Sequence, residues 1–540
     1  VRSIAKVRLF RMPIPIIDLF AGPGGLGEGF AALKDECGKP VFRLGVSIEK
    51  ESSAHATLLL RAVYRLLDGT PDERHYYDYV TGVITAAQFR AIPVVARAFR
   101  EASNEAHPFE LGKTPEVEID EKIRHALQGS TSWVLIGGPP CQAYSLAGRA
   151  RRTNDESFSK DAKHFLYREY LRIIRAHRPA IFVMENVKGL LSSKHSGRSM
   201  FGRIFDDLST PHDGVEYELR SFVCDDQGLG LSPQDYLIES ESFGIPQTRH
   251  RIILLGVRKS SSPIAHKLLE PMRPIGVRHA IWDLPTIRSR LSRSDDSHDA
   301  WHRAVSGAHK VLKGWRSEHA RRLAESMKEA AASAASVYST GSAFLKAPTS
   351  RPAPRAGATE AAYRQWVLRP KVGGVLQHEA RSHMEADLAR YLFAATCANA
   401  TGHSPKLPAY PPGLLPEHRN AGVGDGAPIP FPDRFRVQCS DDPASTIVSH
   451  IAKDGHYYIH YDPIQCRSLT VREAARLQTF PDDYFFEGTR TQQYVQVGNA
   501  VPPLLANRLA RIVWMMVGQS AGQGSSSKSR RRAAAEALVA

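Results

Sequence analysis

Cysteine is scarce: there are six in 540 residues, at positions 37, 141, 224, 397, 439 and 466, with no C-x-x-C pair. That spacing excludes a disulfide framework and a thiolate zinc site and suits a reducing compartment. Long apolar runs are missing as well. No uncharged stretch reaches the roughly 18 residues that a membrane-crossing helix needs. The basic, apolar N-terminus leads into a glycine turn rather than a cleavage site, so the expectation is a soluble, unexported, cytoplasmic protein. There is no internal repeat, which excludes solenoids and propellers. Acidic residues are in deficit, 56 against 71 Lys plus Arg, and the net charge of +15 favours a polyanionic partner without establishing one.

What is present is a globular composition, 42% hydrophobic, in a chain long enough for two or more lobes. Short runs rich in Ile and Val occur at Ile14 to Phe20, Leu44 to Glu49, Trp133 to Gly137, Ala180 to Val187 and Ile252 to Val257. Stretches with helical potential separate them. Parallel strands buried on both faces have this pattern, so the expected fold is α/β, a doubly wound, mostly parallel, Rossmann-like sheet. Residues 51–131 read as a helical insertion, with helical spacing in Ser53 to Leu67 and Ala86 to Ala102. Beyond Val257, Arg, Ser, Ala and Pro dominate. Near Arg434 order returns, with Thr446 to His450 and Tyr457 to Tyr461 strand-like and Thr470 to Thr479 helical, and residues 520–540 form a basic tail.

The first run ends in Gly22, Gly24 and Gly27, a literal G-x-G-x-x-G, and Glu49 closes the second where a ribose-binding carboxylate belongs. Alone, this pattern suggests a nicotinamide oxidoreductase. The stretch Gly137-Gly-Pro-Pro-Cys-Gln-Ala-Tyr-Ser145 adds a different chemistry. Cys141 directly follows a strand, at the edge where open α/β sheets bind ligands, and its glycines and prolines fix the backbone while removing packing side chains. An isolated cysteine is more often a small buried core residue, but this setting describes an aimed nucleophile.

A thiolate can add to C6 of a pyrimidine and make C5 nucleophilic toward a sulfonium methyl. A free thiol, pKa about 8.5, must be activated for this. Negative charge builds on the ring and calls for a proton at N3. Glu185, in Met184-Glu-Asn-Val-Lys-Gly189 at the next strand end, can carry it, although a strand-end carboxylate also serves as a simple cap. Arg249 and Arg251, two apart in Gln247-Thr-Arg-His-Arg251, share a face if that segment is a strand, and either clamp the base or decorate an exposed edge.

In order along the chain stand Asp18-Leu-Phe-Ala-Gly-Pro-Gly-Gly25, Pro139-Pro-Cys-Gln142, Glu185-Asn-Val187, Gln247-Thr-Arg-His-Arg251, Arg472-Glu-Ala-Ala-Arg-Leu-Gln-Thr-Phe-Pro481 and Gly498-Asn-Ala-Val-Pro-Pro503. With these six motifs the chain resembles the cytosine-C5 DNA methyltransferases of bacterial restriction-modification or phage-defence type, over residues 17–260 and 434–515. The resemblance implies S-adenosylmethionine as cofactor, with Phe20 against the adenine, Gly22, Gly24 and Gly25 near the amino-acid moiety, Glu49 on the ribose, and Pro139 and Asn499 lining the pocket. It implies Cys141 as nucleophile, Glu185 at N3, and Arg249 and Arg251 assisting the pyrimidine.

The adenine-contacting acidic residue is assigned to Asp120. Arg149, Arg151 and Arg152, in a loop after the nucleophile, are expected to contact DNA phosphates. The implied substrate is double-stranded DNA with the target cytosine flipped out. The implied layout is a catalytic domain over 1–260, a target-recognition domain over 261–433, and a return segment over 434–519. Other defence proteins are candidate partners, no membrane is involved, and the enzyme acts on the nucleoid. The Arg472 to Pro481 helix has a structural duty, organising the recognition lobe. The histidines at 378, 383, 450, 456 and 460 lack matched metal-ligand spacing and are read as hydrogen-bonding or DNA-contact groups. Alternatives within and outside the family are a tRNA cytosine-C5 methyltransferase, the nicotinamide enzyme, and an idle DNA-binding scaffold.

Overall fold

A computed structural model describes residues 12–140, 166–195, 197–212, 214–226, 230–259, 267–312, 317–346, 354–416 and 431–517. β1 (Ile14–Leu19) leads through the glycine turn into α1 (Gly25–Ala31), followed by β2 (Phe42–Ile48) and α2 (Ser52–Leu67). After three short helices come β3 (Ala106–His107), α3 (Glu116–Leu127), β4 (Val134–Gly137), α4 (Tyr167–His177) and β5 (Ile181–Val187). β6 (Tyr217–Arg220), β7 (Leu237–Glu239) and β8 (His250–Arg258) complete an eight-stranded sheet in the order β3-β2-β1-β4-β5-β8-β6, with β7 also on β8.

The first five strands in that order pair in parallel. β8 runs antiparallel to β5, β6 and β7, which corrects the expectation that the Ile252 to Val257 run is parallel. A strand buried on both faces has the same apolar run in either direction. Alternate residues feed two cores. Ile16, Ile136 and Val183 face α1 and the C-terminal helix over residues 503–517, whereas Ile17, Leu135 and Phe182 face α3 and α4.

The expected 51–131 insertion is only partly one. Its helices Glu73–Val80, Ala86–Ala91 and Pro93–Ala102 stand off the sheet, but β3 pairs with β2 and α3 packs beneath the parallel strands. The single helix expected over Ala86 to Ala102 is broken because Pro93 holds Ile92 extended, at φ −66° and ψ 124°, and then starts the next helix itself. The stand-off helices share a core with Val372 and Leu376 of the variable region, where β9 (Gly341–Leu345) and β10 (Val375–Glu379) form a hairpin.

In the 261–433 region, Ile275, Val277, Ile281, Tyr363 and Val367 join the core of the main sheet. A separate core begins at Leu291 and includes Trp301, Met327 and α5 (Glu385–Thr401). Tyr457 to Tyr461 forms a 3-10 turn and isolated bridges rather than the expected strand. The tail at 520–540 lies outside the described residues.

α6 (Val471–Leu477) is wholly buried, sets Val471, Ala474, Ala475 and Leu477 in the core of the main sheet and carries the buried charged groups Arg472, Glu473 and Arg476. Thr470 and Glu473 form a capping box, and Arg467 grips Glu473 through two bonds of 2.6 and 2.7 Å. Arg472 spends its guanidinium on the carbonyls of Leu376, Pro481 and Tyr484. His378 lies between the Thr470 hydroxyl (2.9 Å) and the Pro285 carbonyl (2.8 Å), and His383 contacts Ser468 and Tyr391.

Burial holds His378 down at about 4 and His383 at about 3, so both stay neutral in the fold while the unfolded chain takes up protons below about 6.5. Their contribution to stability is complete above about pH 6.5 and declines as pH falls toward 4. The depressed carboxylates of Glu28 and Glu473 lose their contribution only below their ordinary range. Because the raised carboxyls of Asp18 and Glu49 gain stability over the same window, the histidine share is read by difference: the thermal midpoint of His383→Gln, followed by circular dichroism, should fall less than that of the wild type between pH 6.5 and 4.5, and an equal fall in both would contradict neutral burial of this histidine.

Candidate active site

At the end of β1 the backbone turns left-handed at Phe20, Gly22 and Gly24, with φ of 56°, 58° and 94°. A left-handed phenylalanine is costly and is a mark of functional turns. Two glycines are required by close approach. A Cβ on Gly24 would lie 2.9 Å from Leu58 Cδ1 and 3.0 Å from the Tyr484 hydroxyl, and one on Gly25 would lie 2.4 Å from the Val501 carbonyl oxygen. The turn is thus clamped by the return segment, and Tyr484 donates a hydrogen bond to the Pro23 carbonyl.

Glu49, at the end of β2, accepts from Gly22 N–H at 2.9 Å and from Glu51 N–H at 2.7 Å, which ties the second strand to the turn. Burial raises its pKa. Asp18 is 1% exposed, and neither carboxylate oxygen has a hydrogen-bond partner among the described residues, although the Gly27 backbone faces it. Burial, then the charges of Glu105 and Glu49, hold its carboxyl well above the usual range. In the sequence Asp18 is marked only by its place in a buried strand.

The structure does not bring Asp120 to this edge. It sits in α3 and bonds to Arg172 (2.9 Å) and His177 (3.0 Å) of α4. Burial opposes its ionisation, yet those two partners keep its carboxyl below the usual range, as in a helix-to-helix tie. The acidic side chain that follows β3 is Glu110, 3.0 Å from Lys50 at the end of β2. Because β3 is only two residues long, sequence periodicity could not mark it.

At the neighbouring strand ends, Gly137 of β4 is in register with Met184 of β5, which sets Glu185 beside Gly138. A Cβ on Gly138 would lie 2.8 Å from Glu185 Oε2, so only glycine permits this approach. Glu185 Oε1 is 2.9 Å from Arg251 Nε, across the β5–β8 pairing. Burial lowers the pKa of Arg251, and Glu185 opposes that shift.

Arg249 does not share this face. It precedes β8, is 1% exposed, and bonds to the carbonyls of Ile447 (2.7 Å) and Gly498 (3.2 Å), so it fastens the return segment rather than facing a ligand. Burial, then Arg251, push its pKa well below the ordinary value. Asn499 is exposed at the end of α7 (Arg490–Asn499), and Pro139 is buried at the end of β4. Cys141, Arg149, Arg151 and Arg152 lie outside the described residues.

Comparison with known proteins agrees with this arrangement. Residues 102–513 match the family model for C-5 cytosine-specific DNA methylase. The chain is 32% identical over 519 residues to the type II methyltransferase M.Bpa9945I of Bacillus paralicheniformis, covering 92% of this chain and 98% of that one. It is 26% identical to M.DdeI of Desulfomicrobium norvegicum, over 70% of this chain and 72% of the relative. The crystal structure of a prophage-encoded DNA modification methyltransferase (E. coli) shares the fold with a TM-score of 0.51 at 18% identity, covering 94% of this chain and 99% of that one. The glycine turn therefore does not mark a nicotinamide enzyme. The chain belongs to the C-5 cytosine-specific DNA methylases and is a DNA (cytosine-5-)-methyltransferase of the type II restriction-modification kind.

Proposed function

We propose that the protein methylates C5 of a cytosine turned out of double-stranded DNA, with S-adenosylmethionine as donor and Cys141 as a transient covalent nucleophile. The observation that carries this reading is the Glu185–Arg251 pair at 2.9 Å, set against Gly138 at the strand end from which the chain runs to Cys141. Three peptide units separate Gly138 from Cys141, a reach of at most ~11 Å between their Cα atoms.

S-adenosylmethionine, when bound, supplies an electrophilic methyl group. The residues at the turn fit it: each Glu49 oxygen already accepts one backbone N–H and keeps a lone pair for a ribose hydroxyl. Phe20, Gly22, Gly24, Gly25, Pro139 and Asn499 line the same edge, and Glu110 takes the adenine role given earlier to Asp120.

The Cys141 thiolate adds to C6 while Glu185 delivers a proton to N3 and Arg251 faces O2. The electron pair reaches C5, which would take the methyl as the donor's sulfonium leaves as a neutral thioether. Loss of the C5 proton to a base re-forms the double bond and expels the Cys141 thiolate, and the N3 proton returns to Glu185. Arg249 acts behind this site as a positioning residue. Arg149, Arg151 and Arg152 contact phosphates, and the 261–433 region selects the sequence. In the cell the reaction protects host DNA on the nucleoid as part of a restriction or other phage-defence system.

Incubation with radiolabelled S-adenosylmethionine and separate DNA and tRNA substrates tests the reading. Label should enter DNA, with bisulfite sequencing locating it at C5 of cytosine in one sequence. Label in tRNA alone would favour the RNA-modifying alternative.

A further inference from the structure

A duplex that loses a base from its stack leaves a gap, and apolar side chains are suited to fill such gaps. We propose that Val448 is the wedge that enters the DNA stack when the cytosine leaves it; this rests on the base-flipping reading above. Val448 is 37% exposed, one of few large apolar side chains so placed among the described residues. Others, such as Val83, Val117 and Tyr338, lie in the turn between two stand-off helices, on α3 and in the variable region.

The backbone that carries Val448 is fixed from every side. Arg249 donates to the Ile447 carbonyl at 2.7 Å, and Gln247 accepts from Ile447 N–H at 2.9 Å. The Tyr458 hydroxyl donates to the Thr446 carbonyl at 3.0 Å and accepts from Val448 N–H at 3.3 Å. Gly498 packs so closely that a Cβ there would lie 2.3 Å from Val448 C and Ser449 N. Ile447 is fully buried, whereas its neighbour Val448 is turned outward.

A β-branched side chain on a locked backbone has little freedom of its own to lose on insertion. The same contacts fix its place at the rim. Gly498 is followed by exposed Asn499, and the Arg249 that holds Ile447 is two residues from Arg251, the partner of Glu185. In this proposal a duplex delivering a cytosine to Glu185 passes this valine.

The test compares methyl transfer by the wild type, Val448→Ala and Val448→Ile on two duplexes. One carries the target cytosine opposite guanine, the other opposite an abasic site, where extrusion costs less. The loss of two methyl groups from the stack should slow Val448→Ala about tenfold on the paired duplex. On the abasic duplex it should come within about twofold of wild type, and Val448→Ile should remain active on both. Equal slowing on both duplexes, or no slowing on the paired one, overturns the wedge. If the wild type itself transfers no methyl to either duplex, the underlying reading fails first.

Discussion

Cys141→Ala will bind DNA and transfer no methyl group, with a rate reduced at least ~10⁴-fold, the scale seen when a covalent nucleophile is deleted. Without the sulfur, nothing adds to C6, C5 never becomes electron-rich, and Glu185 and Arg251 are left to orient an unreactive ring. DNA affinity should survive because contacts to phosphates do not involve the thiol. The sharpest readout uses DNA containing 5-fluorocytosine, in which fluorine blocks the final proton loss. The wild type should become covalently attached in the presence of S-adenosylmethionine and migrate slowly on a denaturing gel, while Cys141→Ala should not. Full activity in the variant would falsify the covalent mechanism.

Arg61→Ala will unfold far more readily than the wild type. Arg61 lies buried between Glu28 of α1, which it grips at 2.6 and 3.1 Å, and Asp483 of the return segment at 3.2 Å. Its guanidinium also stacks on Tyr64, 4.1 Å from the ring centre, and on Tyr484 at 4.8 Å. Deleting the cation strands two buried carboxylates, a loss of about 3–5 kcal/mol when one member of such a group is removed. Arg65, 3.5 Å from Glu28, and Arg369, 3.4 Å from Asp483, moderate the loss and place it toward the lower end.

Acidity provides an internal check on this account. In the wild type Arg61 outweighs burial and holds the Glu28 carboxyl below its usual range. In the variant only Arg65 and Arg369 still oppose burial, so the carboxyl moves upward relative to the wild type. A raised folded-state pKa contributes stability below the unfolded value and loses it as pH climbs, so the deficit of Arg61→Ala relative to wild type should be smaller near pH 4.5 than at pH 7.5. Urea titrations at both values measure this; a deficit that widens on acidification would contradict the assignment.

The strands that position the site were legible because two-sided burial leaves short runs dominated by apolar residues, as in Ile14–Leu19 and Ile181–Val187. Their directions were not, since β8 has the same composition as its parallel neighbours. Asp120 lies away from the strand edge because the apolar residues near it follow a helical period. Ile119, Ile123, Ala126 and Leu127 are buried, while Val117, taken as part of the flanking apolar signal, is 66% exposed. The pairing of Arg249 with Arg251 assumed a strand through both, but β8 starts at His250. Contacts between residues hundreds of positions apart, such as Arg61 with Asp483, have no local signature at all. Glu49 differs, because its strand-end position alone announced it and the turn N–H then meets its carboxylate.

The clamp on Gly25 by Ala500 and Val501 has a consequence for biosynthesis. The glycine turn is among the first described segments to leave the ribosome, yet it acquires its walls only after nearly five hundred more residues have been made. So long a loop closes late and slowly. A nascent chain therefore carries the first half of this site before its walls exist, and methyl transfer waits until the return segment has been made.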